Sequence, residues 1–152
     1  MKALEHRIPP PVVAILLATA MWMLAPVPPA LPFADFRTPA AILLVLIGIA
    51  FDFAGVVNFL QSRTTINPLR PHKAAVLVTR GIYRLTRNPM YVGLALLLLA
   101  WAVFWGSLWG LLGPVLFVLY MNRFQIGPEE RVLRGIFGEA YDAYAARVRR
   151  WL

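Results

Sequence analysis

The chain contains no cysteine in 152 residues, which removes disulfides, thiolate nucleophiles and cysteine-held metals at once. Histidine is nearly as scarce. His6 and His72 stand apart from each other and form no ligand cluster, so no metal is expected. Charge is sparse too: only 14% of residues carry it, where soluble domains carry about a quarter. Acids are the minority of that set, seven against fifteen Lys and Arg, for a net charge of +8. Such an excess suits a nucleic-acid partner when it forms a stripe or patch. Here the basic residues sit in short polar stretches between apolar runs. That placement orients a membrane protein, and no nucleic acid is expected.

Apolar residues are abundant, at 60% of the chain. They come in long runs rather than at alternating or helical spacing, which points to lipid as the solvent. The length suits one domain, 1–152. Lys2 and Arg7 ahead of Val12–Leu24 have the character of a secretory signal, but we read this segment as a first span, from about Pro11 to Ala25. The proline-rich stretch Pro26–Pro32 ends it, because repeated prolines cannot continue a helix. Thr38-Pro39 reads as an N-cap followed by proline at the first helical position. From there the second span runs to about Leu60, closing an N-terminal pair of spans over 1–62. A polar cytoplasmic loop, 63–89, holds Arg63, Arg70, Lys73, Arg80, Arg84 and Arg87 and is too charged to cross. The apolar stretch 90–124, interrupted at Trp105-Gly106-Ser107, predicts a tight helical hairpin with Trp101, Trp105 and Trp109 near its tip.

The segment 125–152 differs. Phe137, Tyr141, Tyr144 and Val148 recur on one helical face, and Arg147, Arg149 and Arg150 load its end. This predicts an amphipathic C-terminal helix on the membrane surface. The fold class is therefore an all-α membrane protein of about four transmembrane helices, the last two a hairpin, plus that helix. Two Lys or Arg precede the first span, six lie between the second and third, and six sit from Arg123 onward; Arg37 alone lies in the first connection. The positive-inside rule then puts both termini and the loop in the cytoplasm, with a bacterial inner membrane as the expected location.

Three polar clusters share that side: Leu77-Val78-Thr79-Arg80-Gly81-Ile82-Tyr83-Arg84, Arg87-Asn88-Pro89-Met90-Tyr91-Val92-Gly93, and Glu129-Glu130 after Gly127-Pro128. Taken singly, each has a plain structural explanation. Asn88-Pro89 suits a helix start, Glu129 and Glu130 suit the positive end of a helix dipole, and the arginines suit topology. Within the spans Asp52 and Asn58 are nearly alone as polar residues. A small transporter or a non-enzymatic membrane subunit would distribute more polarity along its spans. Asp52 is an intramembrane acid, open to a substrate-channel role or to an interhelical hydrogen bond.

In this order, with Phe137-Gly138-x-x-Tyr141-x-x-Tyr144 behind them, the clusters resemble the isoprenylcysteine carboxyl methyltransferase and phospholipid methyltransferase superfamily over about Ala75–Val148. The resemblance implies membrane helices capped by a cytoplasmic pocket for S-adenosylmethionine, released as S-adenosylhomocysteine. It implies cofactor contacts at Ala75, Val76, Leu77, Val78, Tyr83, Asn88, Pro89, Met90, Tyr91 and Glu129. Arg87 and Arg123 would handle the polar head of a lipophilic acceptor that reaches the site among membrane lipids. Methyl transfer needs neither metal nor covalent intermediate, so positioning would dominate catalysis. The acceptor stays open between an isoprenoid-thiol carboxylate and a phospholipid amine. An amine must be neutral to attack, and Glu130 would then be the base. Asn88 stands where the carboxyl methyltransferase branch has histidine, and Gln125 where that branch has an arginine. Arg123 lies two residues earlier, about 200° around a helix.

Overall fold

The computed structural model describes residues 8–61 and 76–152, with Phe59 described by its backbone alone. Ala75, His6, His72 and the basic residues Arg63, Arg70 and Lys73 lie outside the described residues. Regular structure within them is helical, apart from one antiparallel bridge between Ala30 and Ser107. Helix α1 spans Pro10–Leu24 and α2 spans Ala34–Gln61. After the 3-10 turn Gly81–Arg84 come α3, Pro89–Trp105, and a second 3-10 turn, Trp109–Leu111. Helix α4, Leu112–Met121, passes through a π-helical turn, Asn122–Ile126, into α5, Gly127–Phe137; α6 is Glu139–Arg147.

The apolar runs become these helices because their ends carry helix breakers. Proline opens α1 and α3 at positions where a missing N–H costs nothing. Gly106, at φ 63°, closes α3. Helix α2, at 28 residues, is about 42 Å long. Its segment Ala34–Asn58 is the helix, among the described residues, that is long and apolar enough to cross a bilayer unaided. Helices α1 and α3, at 15 and 17 residues, are about 22 and 26 Å long, short of a hydrocarbon core of about 30 Å.

Helix α3 is the centre of the fold. On one side Val13, Ala14 and Met21 of α1, Leu98 and Ala102 of α3, Phe117 and Met121 of α4, and Ile126 form a buried core. The Met21 thioether occupies the space a Cβ on Gly113 would take. On the other side α2 buries Ala41, Gly48 and Gly55, one small residue every seven, and the two glycines face α3. A Cβ on Gly48 would stand 3.1 Å from the Gly93 carbonyl, and one on Gly55 2.9 Å from Met90 Cγ. Small residues at this spacing let two helices approach closely where lipid gives no hydrophobic drive. The remaining apolar faces of α2, among them Leu46 and Phe53, are exposed.

Four contacts fix the course of the chain. The Ile8 carbonyl accepts from Gln125 Nε2 at 2.7 Å, and Asn58 packs on Gly81, which gathers the start of α1, the end of α2 and the end of the π turn near the start of α3. At the opposite end Leu31 N–H donates to the Gly106 carbonyl at 2.6 Å, and the Arg37 guanidinium packs on Gly106 and donates to the Leu31 carbonyl. Helices α1, α2, α3 and α4 therefore run alternately up and down between two ends.

Two sequence expectations are corrected. Helix α2 begins at Ala34 rather than at Thr38-Pro39, with Asp35 in its first turn and Pro39 inside it. Pro39 has no N–H, so only the bond to the Asp35 carbonyl is lost. The C-terminal helix is two helices, broken at Gly138 (φ 51°, ψ −127°), a conformation open to glycine and strained for other residues. Phe137 is consequently separated from the face that buries Tyr141 and Tyr144.

Candidate active site

The site is built where residues 76–88, the start of α3, the start of α5 and residues 149–151 converge. Residues Val76–Thr79 lead in without helical structure, Leu77 and Val78 half-buried and Val76 exposed. The chain then turns at Gly81 (φ 59°), where a Cβ would lie 2.1 Å from Asn58 Oδ1. This brings Tyr83 beneath α6, whose Tyr144 hydroxyl donates to the Tyr83 carbonyl at 2.7 Å.

Asn88 stands at the N-cap position of α3, but its side chain makes no capping bond. Its Nδ2 instead donates to the Arg150 carbonyl at 2.8 Å, while its N–H donates to Thr86 Oγ1 at 3.1 Å. Successive residues then face different neighbours because a helix turns about 100° per residue. Pro89 and Met90 pack on Gly55 of α2. Tyr91 points to α5, where its hydroxyl donates to Glu129 Oε1 at 2.6 Å, a short charge-assisted bond.

Glu130, the next residue, serves a different group. Arg150 donates to it through Nε (3.0 Å) and Nη2 (2.6 Å), and Arg87 Nη2 lies 3.2 Å from its Oε1. Arg87 also donates to the Tyr141 hydroxyl at 3.2 Å. Its Nε is buried with no partner among the described residues. Arg123 is exposed on the π turn with its guanidinium 5.9 Å from the Phe124 ring centre. Gln125 is buried and donates to the Ile8 carbonyl.

The electrostatics keep the phenols neutral. Burial first, and then the Glu129 carboxylate, push the Tyr83 phenol above its ordinary value. Burial raises Tyr144. Burial and the Glu130 carboxylate raise Tyr141 against the opposing pull of Arg87. Each phenol remains a donor across the physiological range.

The structure thus brings Tyr83, Tyr91 and Glu129 to one place and Arg87 and Glu130 to an adjoining one. It sets Pro89 and Met90 on the α2 side and Arg123 apart. Sequence reasoning missed Thr86, Arg150 and the hydroxyl of Tyr141. Arg150 read as one of several orienting charges, and nothing local distinguishes it. Asp52 lies over Gly93, where a Cβ would stand 2.1 Å from its Oδ1. Asn58 Nδ2 donates to the Ala54 carbonyl at 2.8 Å. Among the described residues no three His, Asp or Glu converge as metal ligands would.

These residues fit a small ligand bearing a carboxylate, hydroxyls, an amino group and an aromatic base. The orphaned Arg87 Nε supplies a donor for an acidic group. Glu129 supplies an acceptor, and Tyr83 and Tyr91 supply ring faces for an aromatic or cationic group.

The chain is similar to known proteins. A family model described as phospholipid methyltransferase matches residues 36–140. A Haemophilus influenzae protein called an uncharacterized protein is 46% identical over 63 residues, 41% of this chain and 100% of that protein. Proteins from the indica and japonica subspecies of Oryza sativa, each called a probable protein-S-isoprenylcysteine O-methyltransferase, are 34% identical over 119 residues. That is 74% of this chain, which spans 59% of the length of each rice protein. No solved structure matches. The family match runs from α2 through the turn into α3 to both glutamates of α5, so the chain belongs to the phospholipid methyltransferase family, within the superfamily that also holds the isoprenylcysteine methyltransferases.

Proposed function

We propose that the protein is an integral membrane methyltransferase that uses S-adenosylmethionine to methylate a lipophilic acceptor. The observation that carries this reading is the 2.6 Å bond between Tyr91 and Glu129 at the mouth of α3, inside the segment matched to the family. When bound, S-adenosylmethionine supplies a methyl group on a sulfonium, electrophilic enough to be displaced without a metal. The chain's own work is to bind, orient and exclude water. Glu129 accepts from the cofactor's hydroxyl or amino groups while Tyr91 holds the carboxylate in place. Tyr83 and Tyr91 offer ring faces, and Val76, Leu77 and Val78 offer backbone groups. Asn88 joins them at the start of α3, with Pro89 and Met90 behind it against α2, and Ala75 joins on the family resemblance alone. Arg87 turns its free Nε to an acidic group, and the exposed Arg123 takes the acceptor's polar head.

Four helical passes with the site at one end suit this task. A water-soluble cofactor enters from the cytoplasm, and the acceptor arrives from the bilayer. We assign all four passes to the membrane, with both termini and the site facing the cytoplasm of a bacterial inner membrane, because in the sequence only Arg37 of the fifteen Lys and Arg, at the start of α2, adjoins the connection from α1 to α2, and none falls between α3 and α4. The acceptor we favour is an isoprenoid-thiol carboxylate or a related lipid, in line with the activity named for the rice relatives. A phospholipid amine is the second reading, favoured by the description of the family model.

Calorimetry on the purified protein with S-adenosylhomocysteine tests the cofactor. Saturable binding is expected, abolished by Glu129→Ala and by Tyr91→Ala, and no binding to the wild type at millimolar ligand would sink the proposal. Radiolabelled methyl transfer into a total lipid extract then sorts the acceptor. Base-labile label marks an ester, and base-stable label marks an amine.

A further inference from the structure

The last residues of the chain lie outside the segment matched to the family, 36–140, yet they hold both walls of the site. The Arg149 carbonyl accepts from the Arg87 N–H at 3.0 Å. The Arg150 carbonyl accepts from Thr86 Oγ1 at 3.1 Å and from Asn88 Nδ2 at 2.8 Å. Trp151 Nε1 donates to Asn122 Oδ1 at 3.0 Å in the π turn. Through its side chain Arg150 makes a bidentate pair with Glu130. Arg150 therefore grips the start of α3 with its carbonyl and the start of α5 with its guanidinium. Those two helix starts carry Tyr91 and Glu129.

We propose that Arg150, with the segment Arg149–Trp151, is a positioning residue of the methyl-transfer site, setting the spacing between Tyr91 and Glu129 by bolting the start of α3 to Glu130. The inference rests on the cofactor reading above. It reassigns Glu130, whose two oxygens are taken by Arg150 and Arg87, from proton acceptor to the receiving half of the bolt. Bidentate charge-assisted pairs fix orientation as well as distance, and a displacement of about 1 Å at a reacting site costs on the order of a hundredfold in rate. Thr86, wholly buried, fits the same role. Its hydroxyl donates to the tail and accepts the Asn88 N–H, so the turn and the tail share one geometry.

The test uses the full chain in detergent or nanodiscs. S-adenosylhomocysteine binding is read by calorimetry, and the kcat and KM for S-adenosylmethionine are read from label entering a total lipid extract. Arg150→Gln should weaken S-adenosylhomocysteine binding about tenfold and lower kcat about a hundredfold, beyond any effect on KM. Arg150→Lys, which keeps the charge and one hydrogen bond, should recover part of both. Glu130→Gln should resemble Arg150→Gln, and the double variant should cost little more than either single one, because the two residues act as one unit. Arg150→Gln binding and turning over like the wild type, with only its melting temperature lowered, would overturn the proposal. Losses that simply add in the double variant would overturn it too. Wild-type protein that fails to bind S-adenosylhomocysteine would instead remove the cofactor reading beneath it.

Discussion

At Gly81 two constraints fall on one residue. Its φ of 59° is left-handed, and a Cβ there would meet Asn58 Oδ1 at 2.1 Å. Asn58 is itself tied to the Ala54 carbonyl, so it does not simply swing aside. Gly81→Ala should cost about 1–2 kcal/mol from the backbone alone and lower the melting temperature in detergent. Adding Asn58→Ala removes the steric part, so the double variant should melt no lower than Gly81→Ala. Additive losses in that pair would show that the residues do not meet. Single residues also mark the limit of sequence reading. Tyr83, Tyr91 and Glu129 stand in a dense ordered motif, and the structure groups them. The Asn88 amide was not legible. A helix-start signal reads the same whether the side chain caps its own helix or, as here, reaches a carbonyl 62 residues away.

At the scale of elements, the apolar runs gave away the helices, while their ends followed chemistry that pattern cannot weigh. Pro39 was an inviting start for α2, but Asp35 in the first turn extends the helix back past it. Gly138 reads as part of one C-terminal helix, although its positive φ breaks that helix in two. The seam between α2 and α3 was also hidden, because Ala41, Gly48 and Gly55 look like any small residues in a greasy run. Their spacing makes a prediction. Gly55→Leu forces a bulky side chain onto Met90 and Pro89, where a Cβ alone would be 2.9 and 3.3 Å away. Overpacking of this kind costs about 1–3 kcal/mol. Leu46→Ala, on the exposed face of the same helix, should change stability by less than about 0.5 kcal/mol. Thermal unfolding of both variants in the same detergent decides it. A larger loss for Leu46→Ala would place α2 the other way round.

For the whole molecule, the question is which way the ends face. The alternating course of α1 to α4 follows from the contacts at the two ends, independently of charge. The Gln125–Ile8 contact and the tail's hold on residues 86–88 bring the start of α1, the end of α4 and the carboxy-terminal segment to the site end. Charge supplies a second, independent observation: of the fifteen Lys and Arg, only Arg37 belongs to the connection at the far end. An orientation with the site outside would need nearly every basic residue to be translocated, against the bias that sets topology. A fluorescent protein fused through a flexible linker beyond Leu152 should therefore fluoresce in bacterial cells, whereas a periplasm-dependent phosphatase there should be inactive. The same phosphatase inserted in the Pro26–Pro32 connection should be active. An active phosphatase at the carboxy terminus would place the site outside and cut it off from the cytoplasmic cofactor, and with it would go the proposed reaction.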